Sequence, residues 1–199
     1  MIRALILAGP SASGKSTVAS YLIENTEEFE LVRSITTRMR RDGDGDDYIH
    51  ISRDEFLEEI EGGRVLEYTE YLGNLYGTPY SEIERISKLG KIPIMILDIN
   101  GVASVKQSSL VDAYSVYIYA DISVIADRLR QRYGDKNSDV FETRLMRNRQ
   151  EYETADEWCA HFDTMVENLV LPKAAEYVIA SFNENKKNFS TKILKTKIK

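Results

Sequence analysis

The string Gly9-Pro10-Ser11-Ala12-Ser13-Gly14-Lys15-Ser16-Thr17 follows directly on an apolar run, Ala4 to Ala8. Its spacing, Gly-x4-Gly-Lys-Ser, is that of a phosphate-binding loop. Glycines let backbone N–H groups turn inward around phosphate oxygens, and the start of a following helix adds partial positive charge. All nine residues are therefore candidates for contact with a nucleoside triphosphate, ATP among them. Lys15 is expected to reach the β- and γ-phosphates, and the Ser16 hydroxyl to ligate Mg²⁺. GTPases, ATPases and small-molecule kinases share the pattern, so the loop alone names no reaction.

A second group of residues has the chemistry of an acceptor site. Ser34-Ile35-Thr36-Thr37-Arg38-Met39-Arg40-Arg41 gathers hydroxyls and cations; an acidic loop, Asp42 to Asp47, and Tyr48 follow. Further on stand Val65-Leu66-Glu67-Tyr68, then Gly73-Asn74-Leu75-Tyr76-Gly77-Thr78, and later Leu97-Asp98-Ile99-Asn100-Gly101. Forked guanidinium groups and phenolic hydroxyls suit the dianion of a nucleoside monophosphate. A carboxylate such as Glu67 can accept two N–H bonds side by side, and a hydroxyl such as Thr78 can donate to a carbonyl oxygen. Each residue also has an ordinary reading by itself. The arginines fit a solvated surface run, Glu67 an edge-strand residue, Tyr48 and Tyr76 strand aromatics, and Asp98 a helix N-cap. His50 and His161 are read as structural.

The elements that must position these residues alternate between strand and helix. Strands are read at Ala4–Ala8, Pro93–Leu97 and Tyr114–Ala120. Helices are read at Lys15–Asn25, near Val102–Gln107 and Val124–Tyr133, and over Pro172–Phe182. The alternation predicts an α/β fold: a parallel sheet flanked by helices in three layers. Residues 34–80 break the pattern and read as an inserted α+β subdomain that binds the acceptor. Within it, Ser52-Arg53-Asp54-Glu55 is a capping box that opens a helix running to about Glu61. The arginine-rich stretch 128–150, with a turn at Gly134 to Asp139, reads as a helical lid. The core is then 1–33, 81–127 and 151–182 of a single domain spanning 1–199.

Taken together and in order, these strings resemble the guanylate kinase family. The resemblance runs from about residue 4 to 168 and covers six strings: the Gly-Pro-Ser phosphate loop, S-x-T-T-R-x-x-R, Asp47-Tyr48, the segment ending in Glu67, G-N-x-Y-G-T and the Leu97–Asn100 segment. It implies transfer of the γ-phosphoryl group of ATP to GMP, with dGMP a second candidate. It implies that Arg38, Arg41, Tyr48 and Tyr76 hold the GMP phosphate, and that Ser34, Glu67, Thr78, Asp98 and Asn100 surround the guanine. Arg128, Arg132 and Arg144 correspond to lid arginines near the transferred group, with Lys15 and Arg38 as further catalytic cations. Asn168 corresponds to an asparagine near the adenine. Three positions depart from the family pattern: Ala12 where glycine is usual, Asp44 in a shortened acidic loop, and Asn100 where a second acid is usual. The rival readings are a kinase for another phosphorylated small molecule and a catalytically silent protein-binding module.

Composition bounds the remainder. With 43% apolar and 29% charged residues and no apolar run long enough to span a bilayer, the chain reads as a cytoplasmic protein without membrane contact. Cys159 is the only cysteine, so an internal disulfide is excluded. The formal net charge is −6, yet residues 183–199 hold six lysines and one glutamate, leaving −11 elsewhere. That acidic body argues against nucleic acid as a partner. The tail reads as a solvated, partly disordered end. The expected state is monomer or homodimer.

Overall fold

The computed structural model describes residues 1–40, 45–71, 73–133 and 138–198. The expectations for Arg41, Asp44 and the turn at 134–137 lie outside the described residues. Among those described, a central strand β1 (Ile2–Ala8) has its last five residues wholly buried. A run that is apolar on both faces is what an internal strand of a parallel sheet requires. The sheet order is β2 (Phe29–Leu31), β7 (Ile92–Ile96), β1, β8 (Val111–Tyr119), β9 (Thr164–Glu167). The pairs β2–β7 and β8–β9 run parallel.

The chain divides into two compact units, with β1 contributing to both. The first comprises residues 1–6 and 23–113. It carries a mixed sheet in the order β4 (Tyr48–His50), β3 (Ser34–Thr36), β6 (Asn74–Pro79), β5 (Val65–Tyr71). One face of that sheet packs on α2 (Arg53–Glu61) through Ile35, Phe56 and Leu75. The capping box read from the sequence is present: the Ser52 hydroxyl accepts from Glu55 N, and Glu55 returns a carboxylate oxygen to Ser52 N at 2.7 Å. Gly77 has no side chain because a Cβ there would lie 2.9 Å from the Phe56 ring and from Val65. Two further helices, α3 (Tyr80–Lys88) and α4 (Ile99–Gln107), complete this unit.

The second unit comprises residues 7–22 and 114–199. It holds the phosphate loop, α1 (Lys15–Asn25), α5 (Ile122–Tyr133), α6 (Ser138–Glu153), the short α7 (Ala155–Trp158), α8 (Leu171–Glu184) and α9 (Thr191–Thr196). The helices α5 and α6 pack on one another, which is the hairpin expected of the arginine-rich stretch. The described part of the tail, 183–198, corrects the expectation of a solvated end. Leu194 is fully buried, Phe189 stacks on Phe162 at 5.8 Å, and Asn188 bridges to Thr164 beside β9. Its lysines misled because the few apolar residues between them do the docking.

Candidate active site

The phosphate loop is shaped by three residues with positive φ: Gly9 at 138°, Ala12 at 64° and Gly14 at 97°. Added side chains would collide at both glycines. A Cβ on Gly9 would lie 2.0 Å from the Ile118 carbonyl oxygen, and one on Gly14 would lie 2.2 Å from Asn168 Nδ2. Ala12 does occupy the left-handed region that glycine is usually chosen for, at a cost of roughly 1 kcal/mol.

The loop's outward carbonyls are satisfied by side chains from neighbouring elements. Arg128 of α5 donates to Ser13 O at 3.1 Å, Ala12 O at 3.3 Å and Asn168 O at 2.7 Å. Asn168, just after β9, donates its Nδ2 to Ser13 O at 2.9 Å. Both residues thus brace the loop, and Asn168 is buried there. Arg144 of α6 donates to Ser11 Oγ at 3.0 Å. A cavity of about 460 Å³ opens above the loop, lined by Gly14, Lys15, Ser16, Thr17, Arg128 and Arg132, among others. Lys15 donates to Gly9 O at 2.7 Å and Pro10 O at 2.9 Å. Burial, with Arg132 and Arg144 nearby, lowers its ammonium to about 8 against some support from Glu151. An anion seated in the cavity reverses that balance.

One residue of this half escapes sequence reading. Asn148 of α6 is buried, accepts from Ser11 N at 3.0 Å and donates to Ser11 O at 2.9 Å. An asparagine inside Arg144-Leu145-Met146-Arg147-Asn148-Arg149 looks like part of a solvated helix face. Only the packing of α6 shows that its amide points at the loop.

The acceptor residues gather on the mixed sheet of the first unit, on the face opposite α2. Register explains the grouping. Tyr76 and Thr78 stand two apart on β6 and so share a face, while Leu75 and Gly77 turn toward Phe56. Glu67 pairs across from Thr78. Val65 packs against the α2 core, and simple alternation would send Glu67 the same way. A bulge between Val65 and Glu67 turns the carboxylate to the other face. Tyr48 meets Tyr76 edge-on at 6.2 Å between ring centroids, and the Arg38 guanidinium lies 5.4 Å from the Tyr48 centroid. Ser34 lies opposite Tyr48 in the β3–β4 pair. The His50 ring stands beside Tyr48, with Nδ1 at 2.7 Å from the Arg38 carbonyl.

Glu67 is buried, and Thr78 donates its hydroxyl proton to Glu67 Oε1 at 2.6 Å. That hydroxyl has one proton, so here it serves Glu67. Burial pushes the Glu67 carboxyl up to about 7, with Asp98 adding repulsion and Thr78 opposing the shift. Asp98 is the N-cap of α4, accepting from Gly101 N at 2.7 Å through Oδ1. A Cβ on Gly101 would sit 3.0 Å from Glu67 Oε2, so the glycine admits the carboxylate to the start of that helix. Asn100 is exposed in the same turn.

A family model described as guanylate kinase matches residues 1–185. The chain belongs to the guanylate kinase family. A guanylate kinase of Lactobacillus delbrueckii subsp. bulgaricus is 37% identical over 150 residues, covering 74% of this chain and 73% of that protein. One from Lactococcus lactis subsp. lactis is 34% identical over 176 residues, covering 87% and 83%. The crystal structure of guanylate kinase from Anaplasma phagocytophilum matches the fold with a TM-score of 0.68 at 24% identity, over 93% of this chain and 86% of that one. The fold read from the sequence is therefore that of this family: the five-stranded sheet and the separate mixed sheet are both present. No helix among the described residues is long and apolar enough to cross a membrane.

For a divalent ion, the described residues offer no cluster of three or more His, Cys, Asp or Glu side chains. They do offer the exposed Ser16 hydroxyl at the wall of the phosphate cavity. Mg²⁺ keeps several waters and takes most of its remaining ligands from substrate phosphates, so one hydroxyl at this place fits it.

Proposed function

We propose that this chain transfers the γ-phosphoryl group of ATP to the phosphate of GMP, giving ADP and GDP. The bond from γ-phosphorus to the β–γ bridging oxygen breaks, and one forms to a GMP phosphate oxygen. The observation that carries the reading is the Glu67–Thr78 pair. It is a buried carboxylate and hydroxyl, aimed by a bulge to the face that also carries Arg38, Tyr48 and Tyr76.

The residues divide the work. Gly9 to Thr17 cradle the ATP phosphates, with Lys15, Arg128 and Arg132 as cations lining that cavity. Arg128, Arg144 and Asn168 hold the loop in shape. Arg38, Arg41, Tyr48 and Tyr76 take the acceptor phosphate, and Ser34, Glu67, Thr78, Asp98 and Asn100 the guanine side. Mg²⁺, held by Ser16 together with the ATP phosphates, supplies further neutralisation of charge when bound. Phosphoryl transfer rests on alignment and charge cancellation, and the GMP phosphate is already a competent nucleophile, so no strong base is needed. The expected setting is the cytoplasm, and the expected state monomer or homodimer.

ADP release measured across GMP, dGMP, AMP, CMP and UMP tests the reading. GMP should be turned over best, and Lys15→Ala should lose about a hundredfold or more in kcat, as removal of a charge-stabilising group typically does. Preference for a non-guanine acceptor would replace GMP. Turnover by Lys15→Ala within a few-fold of wild type would remove Lys15 from the chemistry.

A further inference from the structure

The family match ends at residue 185, so the last fourteen residues stand outside it. Those of them that the structure describes, 186–198, are nonetheless built into the second unit. Phe189 joins the aromatic cluster of Tyr117, Trp158 and Phe162, and the Tyr114 hydroxyl donates to Lys186 O. Leu194 is fully buried, and α9 packs against α6 and α7. At the end of this anchored segment stands Lys197. Its ammonium reaches Glu167 Oε1 at 2.6 Å and Asp121 Oδ2 at 3.2 Å. Its backbone carbonyl accepts from Ile122 N at 2.9 Å.

Those partners occupy telling places. Asp121 immediately precedes α5 and Ile122 begins it, and a helix start presents backbone N–H groups with no partner inside the helix. The Lys197 carbonyl satisfies one of them, doing the work of a cap from a distant part of the chain. Glu167 ends β9 and immediately precedes Asn168. Six residues into α5, about 9 Å along the axis, Arg128 bonds both to the phosphate loop and to Asn168 O. Arg128 and Lys197 therefore tie α5 to the end of β9 at two points. One tie is at the loop and the other is at the far end of the same helix segment.

We propose that Lys197 is a positioning residue for the phosphate-binding half, its ammonium and carbonyl fixing the start of α5 against the end of β9 so that Arg128 and Asn168 hold the loop in its binding shape. An ion pair of partly exposed groups adds little stability by itself. The role argued for is registration of two elements whose small displacement weakens binding. The inference rests on the reading that this loop binds ATP.

Calorimetric titration of full-length protein with Mg·ATP and, separately, with GMP tests it on four proteins: wild type, Lys197→Met, Lys197→Arg and Lys195→Met. Lys195→Met breaks another ion pair of the same segment, with Asp156, which lies in α7. The expected result is a Kd for ATP weakened about fivefold or more in Lys197→Met, within the range small displacements produce. Lys197→Arg should restore it largely, Lys195→Met should leave it unchanged, and GMP affinity should stay level throughout. Hydrogen exchange at 122–128 and 166–169 should quicken in Lys197→Met alone. This readout serves even where weakened packing blurs the titration. Wild type that binds ATP together with Lys197→Met that binds it equally well, or exchange unchanged at both segments, would overturn the clamp alone. Wild type that binds no ATP would overturn the functional reading, and the clamp with it.

Discussion

Glu67 shows how one residue can be costly to the fold and useful to the site. Its carboxyl is raised to about 7 by burial, so the folded protein binds that proton more tightly than the unfolded chain does. Its contribution to stability is therefore greatest below about pH 4.5 and is lost as pH rises to about 7. Glu67→Gln lacks that loss and can still accept from Thr78. At pH 8 the variant should be more stable than wild type, by at most on the order of 3 kcal/mol, with the difference shrinking toward pH 4.5. GMP binding should move the other way. Only the ionised carboxyl accepts two N–H groups, so wild-type affinity should improve between pH 6 and 8. Affinity in Glu67→Gln should keep only the smaller rise that follows the second ionisation of the GMP phosphate, and at pH 8 should be weaker than wild type by about tenfold or more, as loss of a charged hydrogen bond implies. Denaturant melts and titrations over pH 5–8 read both; a variant less stable at pH 8 would make Glu67 a structural residue. The chemistry of this carboxylate was legible in the sequence. Its direction was not, because alternation along Val65-Leu66-Glu67 points it at the core and only the bulge reverses it.

At the scale of elements, the phosphate loop is strained at Ala12 and held at Ser11. Asn148 clasps Ser11 through two hydrogen bonds from α6, one residue away from the left-handed alanine. Ala12→Gly should raise stability by up to about 1 kcal/mol, since glycine adopts this region without the Cβ clash. Asn148→Ala should lower it by about 1–3 kcal/mol and weaken ATP binding. The two changes should also couple: once the clasp is gone the loop can relax, so the gain from Ala12→Gly should shrink by at least about 0.5 kcal/mol in the Asn148→Ala background. Strict additivity in the double-mutant cycle would show that the clasp does not hold the strain. Elements with local signatures, such as α1 behind its loop and α2 behind its capping box, could be read from the sequence because neighbouring residues determine them. The parallel pairing of β3 with β4 and the docking of α9 could not, because each depends on partners far along the chain.

For the molecule as a whole, the two groups of site residues fall in different compact units, Lys15 with its loop in one and Glu67 with its sheet in the other. The alternation of strand and helix announces the α/β class, but a linear reading of core, insertion and lid gives no hint that β1 itself is divided between the units. Anything that binds only the folded state stabilises it by RT ln(1 + [L]/Kd). Mg·ATP or GMP at a hundredfold excess over Kd should each add about 2.7 kcal/mol, or roughly 5–10 °C in Tm for a chain of this length. On the proposed assignment each ligand draws on its own residues, so the shifts should separate by mutation. Lys15→Ala should remove most of the ATP shift and keep the GMP shift, and Glu67→Gln should reduce the GMP shift and keep the ATP shift. Thermal melts of the three proteins with each ligand in turn decide the matter. Loss of both shifts in either variant would mean that the assignment of one ligand to each group of residues is wrong.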